Sequence, residues 1–132
     1  MLKKYISLKL AAYTIIALLS LLLIFHLVIL LGIAPGNMVW GGQLETQGQR
    51  LIMEIVAFIF TALMLLMVLV RMDFVKLGGG MKNFSHTAMW VIFVFFVLNF
   101  VGNLSSPSMV EKAVFGPIAL IMAIFAYRLA MR

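Results

Sequence analysis

Long apolar stretches separated by short polar ones set the pattern of this chain. The first, residues 10–33, reads LAAYTIIALLSLLLIFHLVILLGI. As a helix rising 1.5 Å per residue it would be about 36 Å long, enough to cross a hydrocarbon core of about 30 Å with some tilt. Lys3, Lys4 and Lys9 precede it, as in a signal peptide. The run exceeds a cleavable h-region and "GIAPG" is a poor cleavage site, so the reading is a retained helix, stopped by Pro35 and Gly36. The second stretch, residues 51–70, holds only Glu54 and Thr61 as clearly polar positions. The third, residues 86–102, is short and rich in β-branched and aromatic residues. A lone strand would leave its backbone unpartnered in lipid, so helix is the consistent assignment, with Ser85 as its N-cap. The fourth covers residues 108–129. Ser108 and Glu111 fit a capping box, Ser106 followed by Pro107 is the alternative cap, and Pro117 predicts a kink.

The fold class expected is therefore all-α: a single polytopic membrane domain over residues 1–132, four transmembrane helices in an antiparallel bundle. Composition points the same way, with 65% hydrophobic and 11% charged residues. A soluble fold of this size could not bury so much apolar surface. The net charge of +6 does not indicate nucleic-acid binding, because the basic residues sit at segment ends and not on one face with stacking aromatics. Lys3, Lys4, Lys9, Arg71, Lys76, Lys82, Arg128 and Arg132 fall on one side of a four-span layout, and only Arg50 and Lys112 on the other. By the positive-inside rule, both termini and the middle loop are cytoplasmic, in the inner (plasma) membrane. "LGGGMKN", residues 77–83, reads as a flexible linker between two helical hairpins.

Packing in lipid relies on close backbone approach and polar contacts. Gly116, Ala119, Ala123, Ala126 and Ala130 recur at spacing 3, 4, 3, 4, a seam for a neighbouring helix. Arg50, Glu54, Ala57 and Thr61 form a polar-to-small stripe on the second helix. Both stripes are expected to face the bundle interior.

Ionisable groups within a span usually face a partner or a cavity. His26, Glu54, Asn99 and Asn103 all fall in the outer half of an antiparallel bundle, where they could meet. One reading is a polar pocket opening outward, roofed by residues 37–51, "NMVWGGQLETQGQRL". There Trp40 would sit at the interface, Gly41 and Gly42 would let the loop fold over, and Gln43 and Arg50 are further candidate residues of the pocket. The other reading is structural: Glu54 pairs with Arg50 at i−4, His26 donates to a carbonyl, and the asparagines are interhelical glue.

The absence of cysteine excludes disulfides, thiolate nucleophiles and sulfur-ligated metals. His86 lies at the opposite membrane face from His26, so no metal site is expected, and no cofactor. Asp73, the only aspartate, reads as a solvated partner of Arg71, and no Ser-His-Asp set can assemble.

His26, the sequence Trp40-Gly41-Gly42-Gln43-Leu44 and Glu54, read with "VLNFVGNL" in the third helix, resemble a group of small four-helix bacterial integral membrane proteins. These pair a first-helix histidine with a W-G-G-x-L outer loop and a second-helix glutamate. The resemblance implies the fold and the membrane but no activity. Small multidrug-resistance transporters have a similar length, but they use a glutamate deep in the first helix, which this chain lacks. The expected role is a non-enzymatic binding or accessory subunit, with the lipid bilayer and a homo-oligomer or larger membrane complex as partners and no nucleic acid. The alternatives are a small proton-linked transporter using Glu54 and His26, and a membrane enzyme acting on a lipid or quinone.

Overall fold

A computed structural model describes residues 1–34 and 46–131. Among these, every regular element is helical: α1 (Leu2–Tyr5), α2 (Leu8–Leu30), α3 (Gln47–Arg71), α4 (Gly79–Ser105), a π-helical turn (Glu111–Phe115) and α5 (Gly116–Ala130). Four helices are long and apolar enough to cross a membrane: α2, α3, α4 and the run Glu111–Ala130. Only 22, 28, 22 and 39% of their apolar windows is buried inside the bundle. Leu21, Val91 and Leu98 are among the many large apolar side chains left exposed. In water that surface would oppose folding at roughly 25 cal/mol per Å²; in lipid it is the solvated face.

Local chemistry fixes the ends. Ser7 caps α2 by accepting from the Leu10 N–H at 3.0 Å. The helix ends earlier than the proline predicts. Gly32 takes φ +75°, and the Gly32 and Ile33 N–H groups bond back to the carbonyls of Ile29 and Val28. That Schellman closure satisfies carbonyls in the last turn of the helix. Thr46 and Gln49 form a reciprocal capping box that starts α3, one turn before its apolar stretch. The same closure ends α3: the Asp73 and Phe74 N–H groups bond to Val70 and Leu69 carbonyls, with Asp73 at φ +61°.

The linker reading of residues 77–83 is corrected. Gly78, at φ +92°, is the N-cap of α4, and Gly79 and Gly80 are its first helical residues. A left-handed turn at one glycine suffices to start the helix, and the connection shrinks to residues 72–78. Ser85 is accordingly not a cap. It is buried within α4, and its hydroxyl donates to the Lys82 carbonyl at 2.7 Å.

Both cap signals before α5 are used, in a shared arrangement. Ser106 Oγ accepts from the Ser108 N–H and Ser108 Oγ from the Glu111 N–H, while the Glu111 carboxylate turns back to accept from the Ser106 hydroxyl. Pro117 lacks an N–H to donate. The helix widens just before it into the π turn, where the Gly116 N–H bonds to the Glu111 carbonyl five residues earlier. A π bulge is a known way of absorbing such a defect.

The core lies along the predicted seam. Ala119, Ala123, Ala126 and Ala130 are buried, as is Gly116. They pack with Ala11, Ala12, Ile15 and Leu19 of α2, Met64 and Val68 of α3, and Met89, Ile92 and Phe96 of α4. The most extensive pairings are α4 with α5 and α2 with α3. Trp90 and Phe93 lie against Tyr127 at ring separations of 5.6 and 5.2 Å, and Phe60 meets Phe95 edge-on at 4.9 Å. Arg128 Nε donates to the Ile6 carbonyl, and Arg71 Nε to the Leu129 carbonyl. The ends of α3 and α5 and the entry to α2 are thereby tied together.

Candidate functional site

Glu54 lies seven residues into α3, about 10 Å along the axis. This is deeper than its place in the apolar stretch suggests, because the capping box begins the helix at Gln47. His26 lies one turn before the end of α2. The two meet across the α2–α3 interface with His26 Nδ1 2.7 Å from Glu54 Oε2. Their side chains are 11% and 2% exposed. Two turns beyond Glu54 the same face of α3 carries Thr61, buried, whose hydroxyl donates to the Ala57 carbonyl at 2.7 Å. The Phe25 ring, beside His26, packs on Phe115 at 5.0 Å, so an aromatic wall adjoins the pair.

With Glu54 ionised, Nδ1–H donates to the carboxylate, which fixes the imidazole's orientation and tautomer. At 2.7 Å the contact has the length of a charge-assisted hydrogen bond. It joins the two helices at one level, and a proton can pass along the same line between Nδ1 and Oε2. Glu54 is thus engaged with a residue of another helix, and His26 uses the glutamate in place of the carbonyl the structural reading supposed.

The other expected pocket residues lie on α3, on α4 or outside the described residues. Asn103 Nδ2 donates to Asn99 Oδ1 at 2.8 Å along one face of α4; Asn99 is exposed and Asn103 half-buried. Arg50 is half-buried in the first turn of α3, one turn before Glu54. Trp40, Gly41, Gly42 and Gln43 lie outside the described residues. Among the described residues no group of three or more His, Cys, Asp or Glu stands together as a metal-binding set.

A second constellation, at the other end of the bundle, has no counterpart in the sequence reading. Arg71, Lys82, Asn83 and His86 line a half-open cleft of about 200 Å³. Asp73 is solvated, as expected, but its carboxylate pairs with Lys82. The left-handed turn at Asp73 swings the chain around so that residues nine apart meet. The one available signal is the i, i+4 spacing of Lys82 and His86, which the linker reading hides. No family model, curated protein or solved structure matches this chain.

Proposed function

We propose that this chain is a multi-pass protein of the bacterial inner membrane, an antiparallel bundle with both termini cytoplasmic, acting as a non-enzymatic binding or accessory subunit. The antiparallel order is supported by the ties among Ile6, Arg71, Leu129 and Arg128 at one end and by the His26–Glu54 bond toward the other. The orientation is supported by eight of the ten basic residues falling on the same side.

One observation carries the subunit role. Asn99 lies within an apolar span yet is exposed, and among the described residues it bonds to Asn103 of its own helix and to no other helix. A carboxamide turned toward hydrocarbon is unfavourable unless a neighbouring helix supplies donors and acceptors. Beside it, Val94, Leu98 and Val101 present an exposed ridge at spacing 4, 3. The partner in this reading is a transmembrane helix with a polar side chain, from a second copy or a larger complex. A photo-crosslinking residue at Leu98 in native membranes tests it. The expected result is a discrete protein adduct that is lost on Asn99→Leu; adducts with lipid alone contradict the role.

The second reading, a proton-linked carrier, is favoured by the direct contact of two ionisable side chains within the spans. Proton flux into vesicles, abolished by Glu54→Gln with the fold intact, is its signature.

A further inference from the structure

We infer that the partner of α4 is a second copy of this chain, and that two copies pair through the outer half of α4, Asn99 opposite Asn99 and Gly102 opposite Gly102 across a two-fold axis. The inference rests on the subunit reading and commits it to one partner.

Copies of one chain insert with the same topology, so two α4 helices that meet in a bilayer run parallel. A two-fold axis along the membrane normal then sets each residue opposite itself at one depth, and the contact is isologous. Such a contact requires a surface that complements itself. The outer half of α4 does so in hydrogen bonding, in charge and in shape.

A carboxamide carries two N–H donors and an oxygen with two lone pairs. Asn99 Oδ1 accepts from Asn103 Nδ2 at 2.8 Å, and among the described residues the Asn99 side chain makes no other hydrogen bond. Two donors and a lone pair remain on an exposed group. Two such groups face to face exchange N–H···O bonds, each supplying what the other needs. An unrelated helix would have to bring its own polar side chain to the same depth. Charge raises no obstacle, because the chain has no Asp, Glu, Lys or Arg from Met89 to Val110. Pairing this half of α4 with itself brings no like charges together.

Gly102 lies one turn beyond Asn99, on the same face at i, i+3. It is exposed, and an added methyl would meet nothing within 4 Å among the described residues. Glycine weakens a helix relative to alanine, and nothing within the chain calls for it here. A missing side chain lets a neighbouring backbone come close, which is how helices associate in lipid. Ser105, one turn further out, is also small, and its hydroxyl already donates to the Val101 carbonyl at 3.0 Å. Val94, Leu98 and Val101, all exposed, supply the apolar surround.

The test is disulfide crosslinking of the full chain in native membranes, with two differently tagged copies expressed together. The chain has no native cysteine. Under mild oxidation Leu98→Cys should give a dimer carrying both tags. Ile24→Cys, also exposed and six residues from the end of α2 as Asn99 is from the end of α4, reports random collision and should give far less. In mixed micelles Asn99→Leu should weaken association about 3- to 20-fold, the range of interhelical hydrogen bonds in lipid. Gly102→Leu, which fills the point of approach, should weaken it about tenfold or more. Helicity and thermal midpoint are measured for each; should Asn99→Leu unfold, Gly102→Leu and the contrast of Leu98 with Ile24 decide. Equal crosslinking at Leu98 and Ile24, or variants that associate as the parent does, overturns the second copy as partner. A Leu98 photo-adduct with a different protein and no mixed-tag dimer overturns it while the subunit reading stands. Adducts with lipid alone and no mixed-tag dimer overturn both.

Discussion

Breaking the His26–Glu54 contact is the sharpest perturbation of the bundle. The two side chains are 2.7 Å apart and together almost wholly withdrawn from the surface. A hydrogen bond to a carboxylate is strong in an apolar medium. The net value in a membrane protein is much smaller, because the separated helices find other polar partners: interhelical hydrogen bonds average about 0.6 and reach about 1.7 kcal/mol. A bond with charged character belongs at the upper end, so the coupling is set at about 1–2 kcal/mol. His26→Ala should cost more than that, about 2–3 kcal/mol, since it also opens space beside Phe25 and leaves the buried carboxylate without its imidazole. Glu54→Gln keeps an acceptor for Nδ1–H and should cost about 1 kcal/mol. The measurement is a double-mutant cycle from His26→Ala, Glu54→Ala and the pair, with reversible unfolding in mixed micelles as the assay. A coupling energy within about 0.5 kcal/mol of zero, the range of independent sites, would show that the two residues do not act on one another.

The seam of α5 makes opposite demands at its two ends. Ala126 is fully buried, so Ala126→Leu should overpack and destabilise by about 1–3 kcal/mol in the same unfolding assay. At Gly116 an added methyl would meet its neighbours at 3.5–3.8 Å, ordinary contact distances; Gly116→Ala should be neutral or stabilising by up to about 1 kcal/mol. Thr46→Ala removes the side-chain half of the α3 capping box and should lower stability by about 0.5–2 kcal/mol, read as faster amide exchange in the first turn of α3. Asp73 sits at a positive φ that glycine adopts without strain, but it also pairs with Lys82. Asp73→Gly should therefore shift the thermal midpoint little, whereas Asp73→Ala, which keeps the Cβ and loses the pair, should lower it.

Four spans are legible because a residue-by-residue apolar run is all that a lipid-facing helix requires, and the alternating small residues of α5 mark its buried side. The ends are legible only where a cap has a distinctive spacing, as with Ser108 and Glu111. The capping box of Thr46 and Gln49 lies in a polar run that hydropathy assigns to the loop, which puts Glu54 too near the start of its helix. The glycines at 78–80 mislead for a related reason. Glycine favours turns by propensity, but here one turn at Gly78 is enough, and the strongly apolar remainder of α4 carries the next two glycines into the helix. For the candidate site, depth alone places His26 and Glu54 at a common level. It does not reveal that His26 touches Glu54, because the i, i+4 relation of Arg50 and Glu54 within α3 is visible in one dimension and the α2–α3 contact is not. The asparagines join them on the same depth argument, yet depth says nothing of which way round the helix they point. The basic cleft is illegible because it depends on the left-handed turn at Asp73, which no residue pattern in that stretch announces.

Every functional reading rests on a chain that crosses the bilayer four times with both ends on the cytoplasmic side. The absence of native cysteine allows a clean measurement: single cysteines at Tyr5, Thr46, Lys76 and Pro107, all exposed, are offered a membrane-impermeant maleimide on intact cells. Four crossings in this orientation predict labelling at positions 46 and 107 from outside, and at 5 and 76 only after the membrane is opened. Labelling of position 76 from outside, or of all four alike, would contradict them.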